Sequence, residues 1–367
     1  LARTWQQMHM AFEHDVNRIW IVNVGDIKPH EYNIEYFMRL AWDIEPWNNR
    51  NSRQFLLQWA ERDFGPQYAI PIAKILEKHM ELGYALRPEQ VSEVEQANFF
   101  SMSNYNDELQ RRINAYDELM RQTDEVYALL PAELKDAFFE MVVYNVKCAG
   151  LHNKKVLYAF KSNAYGKQNR ASAADYAELA QKAAKDIDGL MEHYNTGLVT
   201  VEDKWNHFAS YPEKADPLSH YEKIWSMPEI SSYNGSGAAA LNVAPEGPGD
   251  TLATLSVYPK NQRFIDLYNT GKGHVEWVAA CEDWVDLSEG AGTFEKEKRI
   301  WVTIDWEKAP KGENVSTVIT FNGTGKSYGI PISVFNPAAP KRNDIKGFVE
   351  SHGYVSMEAE HYSRKFD

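Results

Sequence analysis

The stretch IWIVNVGDIKPHEYNI, Ile19 to Ile34, decides how the rest of the chain is read. Ile19 to Val24 is largely apolar on both faces, and such a run after a helix pattern reads as a parallel strand buried between helical layers. The preceding helix pattern is carried by Trp5, Met8, Ala11 and Phe12. Asn23 and Asp26 close the run, Gly25 permits close backbone approach, and Lys28 follows within reach of an anionic group. In parallel sheets and barrels the functional groups sit at that carboxyl edge. The same residue types also build ordinary turns, which is the alternative reading.

Downstream, helix grammar continues. Ser52 stands before Phe55, Leu56, Trp59 and Ala60, and Gly65-Pro66 stops that pattern. Ile72, Ile75, Leu76 and Leu82 repeat it, with Gly83 as the expected terminator. From Asn104 to about Tyr211 the chain reads as a helical bundle. One helix carries Leu109, Ile113, Tyr116, Met120 and Tyr127; another, after Pro131, carries Leu134, Phe138, Met141 and Val142. A further helix, starting near Ser172, is expected to bury Leu179, Ala183, Ile187, Leu190 and Tyr194.

Beyond Pro228 the period changes to two. In RIWVTIDW, Ile300, Val302, Ile304 and Trp306 share a face opposite Arg299, Trp301, Thr303 and Asp305. HVEWVAAC sets Val275, Trp277 and Ala279 together. Several such strands between Gly, Pro and Asn turns predict a β-sandwich of immunoglobulin-like size. NPAAP, Asn336 to Pro340, then reads as a linker. The fold class expected is therefore multi-domain: α/β, then all-α, then all-β.

Composition excludes several functions. A net charge of −13 repels phosphate backbones, so nucleic acid is not an expected partner. No apolar run approaches the roughly 20 residues of a membrane span. Cys148 and Cys281 stand in no metal or redox motif, and neither a metal nor a cofactor is expected. GTGKS, Gly323 to Ser327, lacks the first glycine of a phosphate loop and lies among strands, so it reads as a turn. GSGAAA, Gly235 to Ala240, follows a polar segment and reads as a loop.

IWIVNVGDIKP resembles a signature of the glycoside hydrolase family 115 α-glucuronidases, and LARTWQQMHMAFEHDVNRIW is similar to the helix before it. SNYND (Ser103 to Asp107), LKDAFFEMVVYNVKC (Leu134 to Cys148), YGKQNRASAADYAELA (Tyr165 to Ala180) and DKWNHF (Asp203 to Phe208) resemble that family's helical domain. GFVESHGYVSMEAEH, Gly347 to His361, resembles the opening of its C-terminal β-domain. The resemblance implies residues 1–95 as the C-terminal part of a (β/α)8 catalytic barrel, 96–228 as a helical bundle, 229–340 as an immunoglobulin-like sandwich and 341–367 as the start of a further β-domain. Asn145, where the family usually has Pro, is one departure.

What the resemblance implies for activity is hydrolysis of α-1,2-linked glucuronic or 4-O-methylglucuronic acid from glucuronoxylan or aldouronic oligosaccharides, with inversion. That chemistry needs an acid and a base carboxyl on opposite faces of the sugar. Asp26 is the one carboxylate read as ending a barrel strand, so it is the catalytic candidate, and the reaction is expected to need residues outside this stretch, such as the N-terminal part of the same protein. Asn23, Lys28, Glu31, Asn104, Tyr105 and Arg170 are the substrate-binding candidates: Lys28 to offset the uronate charge, Arg170 to pair with its carboxylate or else to form a structural ion pair. A secreted or periplasmic place follows from the resemblance, and a homodimer stays open. The alternative function is a non-catalytic carbohydrate-binding protein.

Overall fold

The computed structural model describes residues 1–25, 27–47, 51–92, 100–198, 205–209, 226–259 and 261–350, with 355, 357 and 364, the side chains of 89 and 342 excepted. They fall into two compact units. One comprises residues 1–97, 112–157 and 179–228; the other comprises 98–111, 158–178 and 229–367. Residues 351–367, expected within a further β-domain, lie almost wholly outside the described residues.

Helices come first along the chain: α1 (Ala2–Glu13), α2 (Glu31–Trp42), α3 (Ser52–Phe64), α4 (Pro66–Ala85), the short α5 (Pro88–Val91) and the long α6 (Glu108–Leu129). α7 (Ala132–Phe138) passes through a π-helical segment, Phe139–Val143, into α8 (Tyr144–Lys167). α9 (Ala173–Glu192) ends in a second π-helical segment, His193–Gly197. No helix is long and apolar enough to cross a membrane among the described residues.

In the first unit the α3–α4 hairpin follows from local chemistry. Gly65 adopts φ +98, a conformation that side chains resist, and so ends one helix and starts the next. Pro66 takes the first position of α4, where no N–H is needed. Phe55, Leu56, Trp59, Ala60, Ile72, Ile75 and Leu76 are each at most 1% exposed. Burial stabilises by ~1.5–3 kcal/mol per large side chain. Gly83 does not terminate α4, which runs on to Ala85. An interior Gly costs only about 1 kcal/mol, less than burying the neighbouring Leu82 returns. Leu179, expected inside, is 40% exposed, whereas Ala183 and Ile187 on the same helix are buried.

Ile19 to Val24 does not form the expected parallel strand. Ile19 is 77% and Ile21 92% exposed, and the first unit holds no strand among its described residues. A strand exists only through hydrogen bonds to its neighbours, and without them an apolar run keeps its backbone bonded to water.

The second unit carries the strands β1 (Leu241–Pro245), β2 (Leu255–Ser256), β3 (Arg263–Asn269), β4 (Val275–Ala280), β5 (Val285–Leu287), β6 (Ala291–Phe294), β7 (Glu297–Ile304), β8 (Gly312–Gly323) and β9 (Lys326–Asn336). One sheet has the order β1-β3-β7-β5 and the other β2-β9-β8-β4-β6. Ile265, Leu267, Ile300, Val302 and Ile304 from the first sheet share one apolar core with Val275, Trp277, Ile319, Phe321 and Ile332 from the second. Ile300 and Val302 are fully buried, as their period-two spacing requires. Trp306 lies past the end of β7 and packs, partly buried, against that core. The GTGKS segment is the β8–β9 hairpin: Gly323 pairs with Lys326, and Thr324 (φ +49) and Gly325 (φ +73) make the two-residue turn. At the GSGAAA loop a side chain on Gly235 would meet the Gly271 carbonyl at 2.4 Å.

Candidate functional site

The site grows from the end of the opening signature. Gly25, at φ +66, turns the chain after Val24, and its N–H donates to Asn23 Oδ1 at 3.0 Å. Lys28 follows on the approach to α2, and Glu31 is the first residue of that helix. Lys28 Nζ donates to Glu31 Oε1 and lies 3.0 Å from Glu140 Oε1. It also sits over the Trp205 ring, 5.4 Å from its centre. One ammonium thus joins two carboxylates that are 109 positions apart in the chain.

Glu140 reaches this point from a π-helical segment, and Tyr194, buried nearby, comes from the other. Such segments are rare and recur at functional sites because the extra residue per turn re-aims side chains. Burial is the main effect raising the Glu140 pKa; Lys28 opposes it, and the Glu31 charge adds to it. For Lys28 burial works against the charge, but the two carboxylates outweigh it and the net shift is upward. Burial, together with the charges of Glu140 and Glu31, pushes the Tyr194 hydroxyl well up. Glu31 Oε2, Glu140 Oε1 and Tyr194 Oη are sealed from solvent without a hydrogen-bond partner among the described residues. The Glu140 oxygen is held by charge alone.

The arrangement can hold a proton between its two carboxylates. Lys28 keeps about a third of its side chain exposed, while Glu140 is 6% exposed. With both carboxylates ionised the trio carries one excess negative charge, and Glu140 is the group that burial inclines to take a proton. No group of His, Cys, Asp and Glu able to hold a metal occurs among the described residues.

Residues 1–90, which contain Lys28 and Glu31, match the family model described as glycosyl hydrolase family 115. The match covers about a quarter of the chain, from α1 to α5. The chain's fold is similar to a solved structure described as a novel family GH115 4-O-methyl-α-glucuronidase, BtGH115A, with specificity for decorated arabinogalactans. The TM-score is 0.51 and the identity 21%, over 82% of this chain and 46% of that one. The chain therefore spans about half the length of the solved structure it matches. No curated protein matches it.

Of the sequence candidates, Lys28 and Glu31 meet. Asn23 is exposed and its side-chain oxygen serves its own turn. Asp26 lies outside the described residues. Asn104, Tyr105 and Arg170 belong to the other unit. There Asn104 Nδ2 donates to Ser101 Oγ at 3.2 Å, and Tyr105 is 60% exposed with φ +54. Arg170 is 4% exposed and pairs with Asp266 at 3.2 Å, which is the structural ion pair weighed from the sequence. Glu140 and Tyr194 were not among the sequence candidates. The available signal was a single acid inside the apolar run FFEMVV.

Proposed function

We propose that this protein is a glycoside hydrolase that removes α-1,2-linked glucuronic or 4-O-methylglucuronic acid side groups, with inversion, and that Lys28 receives the uronate carboxylate. The observation that supports this reading is the Lys28–Glu31–Glu140 trio, of which Lys28 and Glu31 lie within the residues that match the family 115 model. Binding a uronate at Lys28 brings a further negative charge beside two carboxylates. Glu140, already inclined to protonation, takes up a proton and releases Lys28 for the incoming anion. Glu31 and Glu140 are not themselves the acid and base. Two groups sharing one ammonium stand closer than the roughly 6.5–9.5 Å that an inverting pair needs for sugar and water. Asp26 remains the proposed catalytic carboxylate. The barrel, bundle and immunoglobulin-like sandwich arrangement, with export to the periplasm or beyond, belongs to the same proposal.

The polymer carrying the uronate is glucuronoxylan on this reading, and the fold neighbour makes decorated arabinogalactan the comparison substrate. The test is release of free uronic acid from both polymers and from aldouronic oligosaccharides by the full-length protein, with proton NMR reading the first anomer formed. Release with inversion, lost in Lys28→Met, is expected. Binding of the oligosaccharides without any release sinks the hydrolase reading in favour of a non-catalytic carbohydrate-binding protein.

A further inference from the structure

The second unit contains a partly open hollow of about 330 Å³, at the small end of ligand cavities and sized for one sugar ring. Three parts of the unit's sequence wall it: residues 100–103, α8 with the loop after it, and β1 with the loop after it and β3. Phe100, Phe160 and Phe264 supply apolar faces; Gln168, Arg170 and Asp266 supply the polar ones. The wall at 100–103 is fixed in place. Tyr105, Asn106 and Asp107 all take left-handed backbone angles, the Asn106 N–H donates to Glu246 Oε1 at 2.9 Å, and Gly247 N–H donates to the Ser103 carbonyl.

Arg170 is the group that points to a ligand. Its guanidinium lies 4.1 Å from the centre of the Tyr165 ring and 4.4 Å from that of Tyr268. Nε donates to Gln168 Oε1 at 2.5 Å and Nη1 to Asp266 Oδ2 at 3.2 Å. Nη2 makes no hydrogen bond among the described residues, although the side chain is only 4% exposed. Nη2 is not sealed from solvent, and Arg170 lines the hollow, so this donor is open to an acceptor bound there.

Charge decides which acceptor. Arg170 pairs with Asp266 and lies 3.9 Å from Glu297; Arg299 pairs with Asp266 and Asp107; Lys161 lies 3.5 Å from Asp107. Three cations therefore face three carboxylates and the network is already neutral. An anionic ligand would leave an uncompensated buried charge, whereas a hydroxyl or ring oxygen accepts from Nη2 without one. A polar donor flanked by aromatic faces also suits a pyranose, which is apolar on its faces and polar at its edge. We propose that this hollow is a binding site for a single neutral sugar residue, recognised through Arg170 and Gln168.

The experiment is backbone amide NMR of the 367-residue chain titrated with xylose, arabinose, galactose and glucuronate, with Gly247 and Gly249 as reporters because both line the hollow. At least one neutral sugar is expected to shift both amides saturably, and glucuronate is expected to leave them in place. Gln168→Ala, at an exposed position, should weaken that titration roughly five- to tenfold, the loss of about one hydrogen bond. If no neutral sugar moves these amides, or glucuronate moves them instead, or Gln168→Ala binds as the parent does, the proposal is wrong. None of these outcomes depends on hydrolysis, so the uronidase reading can fail or survive independently.

Discussion

Arg299 lies directly across the β3–β7 ladder from Asp266, and its guanidinium closes on that carboxylate as a fork, Nε to Oδ1 at 2.7 Å and Nη2 to Oδ2 at 3.1 Å. Asp266 is 8% exposed and also receives Arg170, so one buried carboxylate serves two guanidinium groups.

Replacing Asp266→Asn leaves buried Arg170 and half-buried Arg299 short of a counter-charge. Breaking a buried pair from one side costs ~3–5 kcal/mol, and thermal unfolding should move down accordingly. A wild-type-like melting temperature would mean that the arginines find other partners.

Acid should act on the same residue. Burial alone would raise the Asp266 pKa, but Arg299 and Arg170 outweigh it and the folded value lies below 3.8. Its stabilisation is then complete above about pH 4 and is lost as pH falls through the lower folded value. Urea midpoints from pH 5 downward should decline more steeply in the parent than in Asp266→Asn.

His79 works over a different range. Burial brings its pKa from 6.5 down to about 4, and its Nδ1 has no hydrogen-bond partner among the described residues. The folded state keeps it neutral, so its contribution is intact above pH 6.5 and erodes as pH falls from 6.5 towards 4. His79→Leu should flatten the stability curve across that interval, as followed by circular dichroism.

For the uronate site, proton uptake is the readout. Glucuronate affinity should rise as pH falls towards the raised pKa of Glu140, by up to tenfold per pH unit, and level off below it. Calorimetry in buffers of different ionisation enthalpy should count the proton taken up. Glu140→Gln should bind more tightly at neutral pH and lose the dependence.

At the β8–β9 turn, Gly325→Ala forces a side chain into φ +73 and should cost ~1–2 kcal/mol without altering sugar binding. An unchanged melting temperature would show that the turn relaxes.

Where pattern and packing agree locally, the sequence was legible. Ile300 and Val302, Phe55 and Trp59, and the Thr324-Gly325 turn could all be placed from period and turn chemistry alone. Ile19 to Val24 could not, because a parallel strand is made by its neighbours and not by its own residues. Lys28 and Glu31 were found because they are close in sequence. Glu140 was hidden because a helix period of 3.6 gives no hint of an inserted π turn. Arg170 was singled out as a carboxylate binder, but its partner Asp266 lies 96 residues on and could not be anticipated from local spacing.

Asp107 and Arg299, joined at 2.8 Å, are 192 residues apart, and every residue of the charge network except Asp266, Glu297 and Arg299 is made before the sheet. At ~5–20 residues per second of synthesis, Asp107 waits roughly 10 to 40 s for its arginine. Of the two cations that meet Asp107, Lys161 is made soon after it and Arg299 only with β7, and both carboxylates that meet Arg170 are also made with the sheet. Translation speed across residues 229–304 thus sets how long Asp107 and Arg170 wait for these partners.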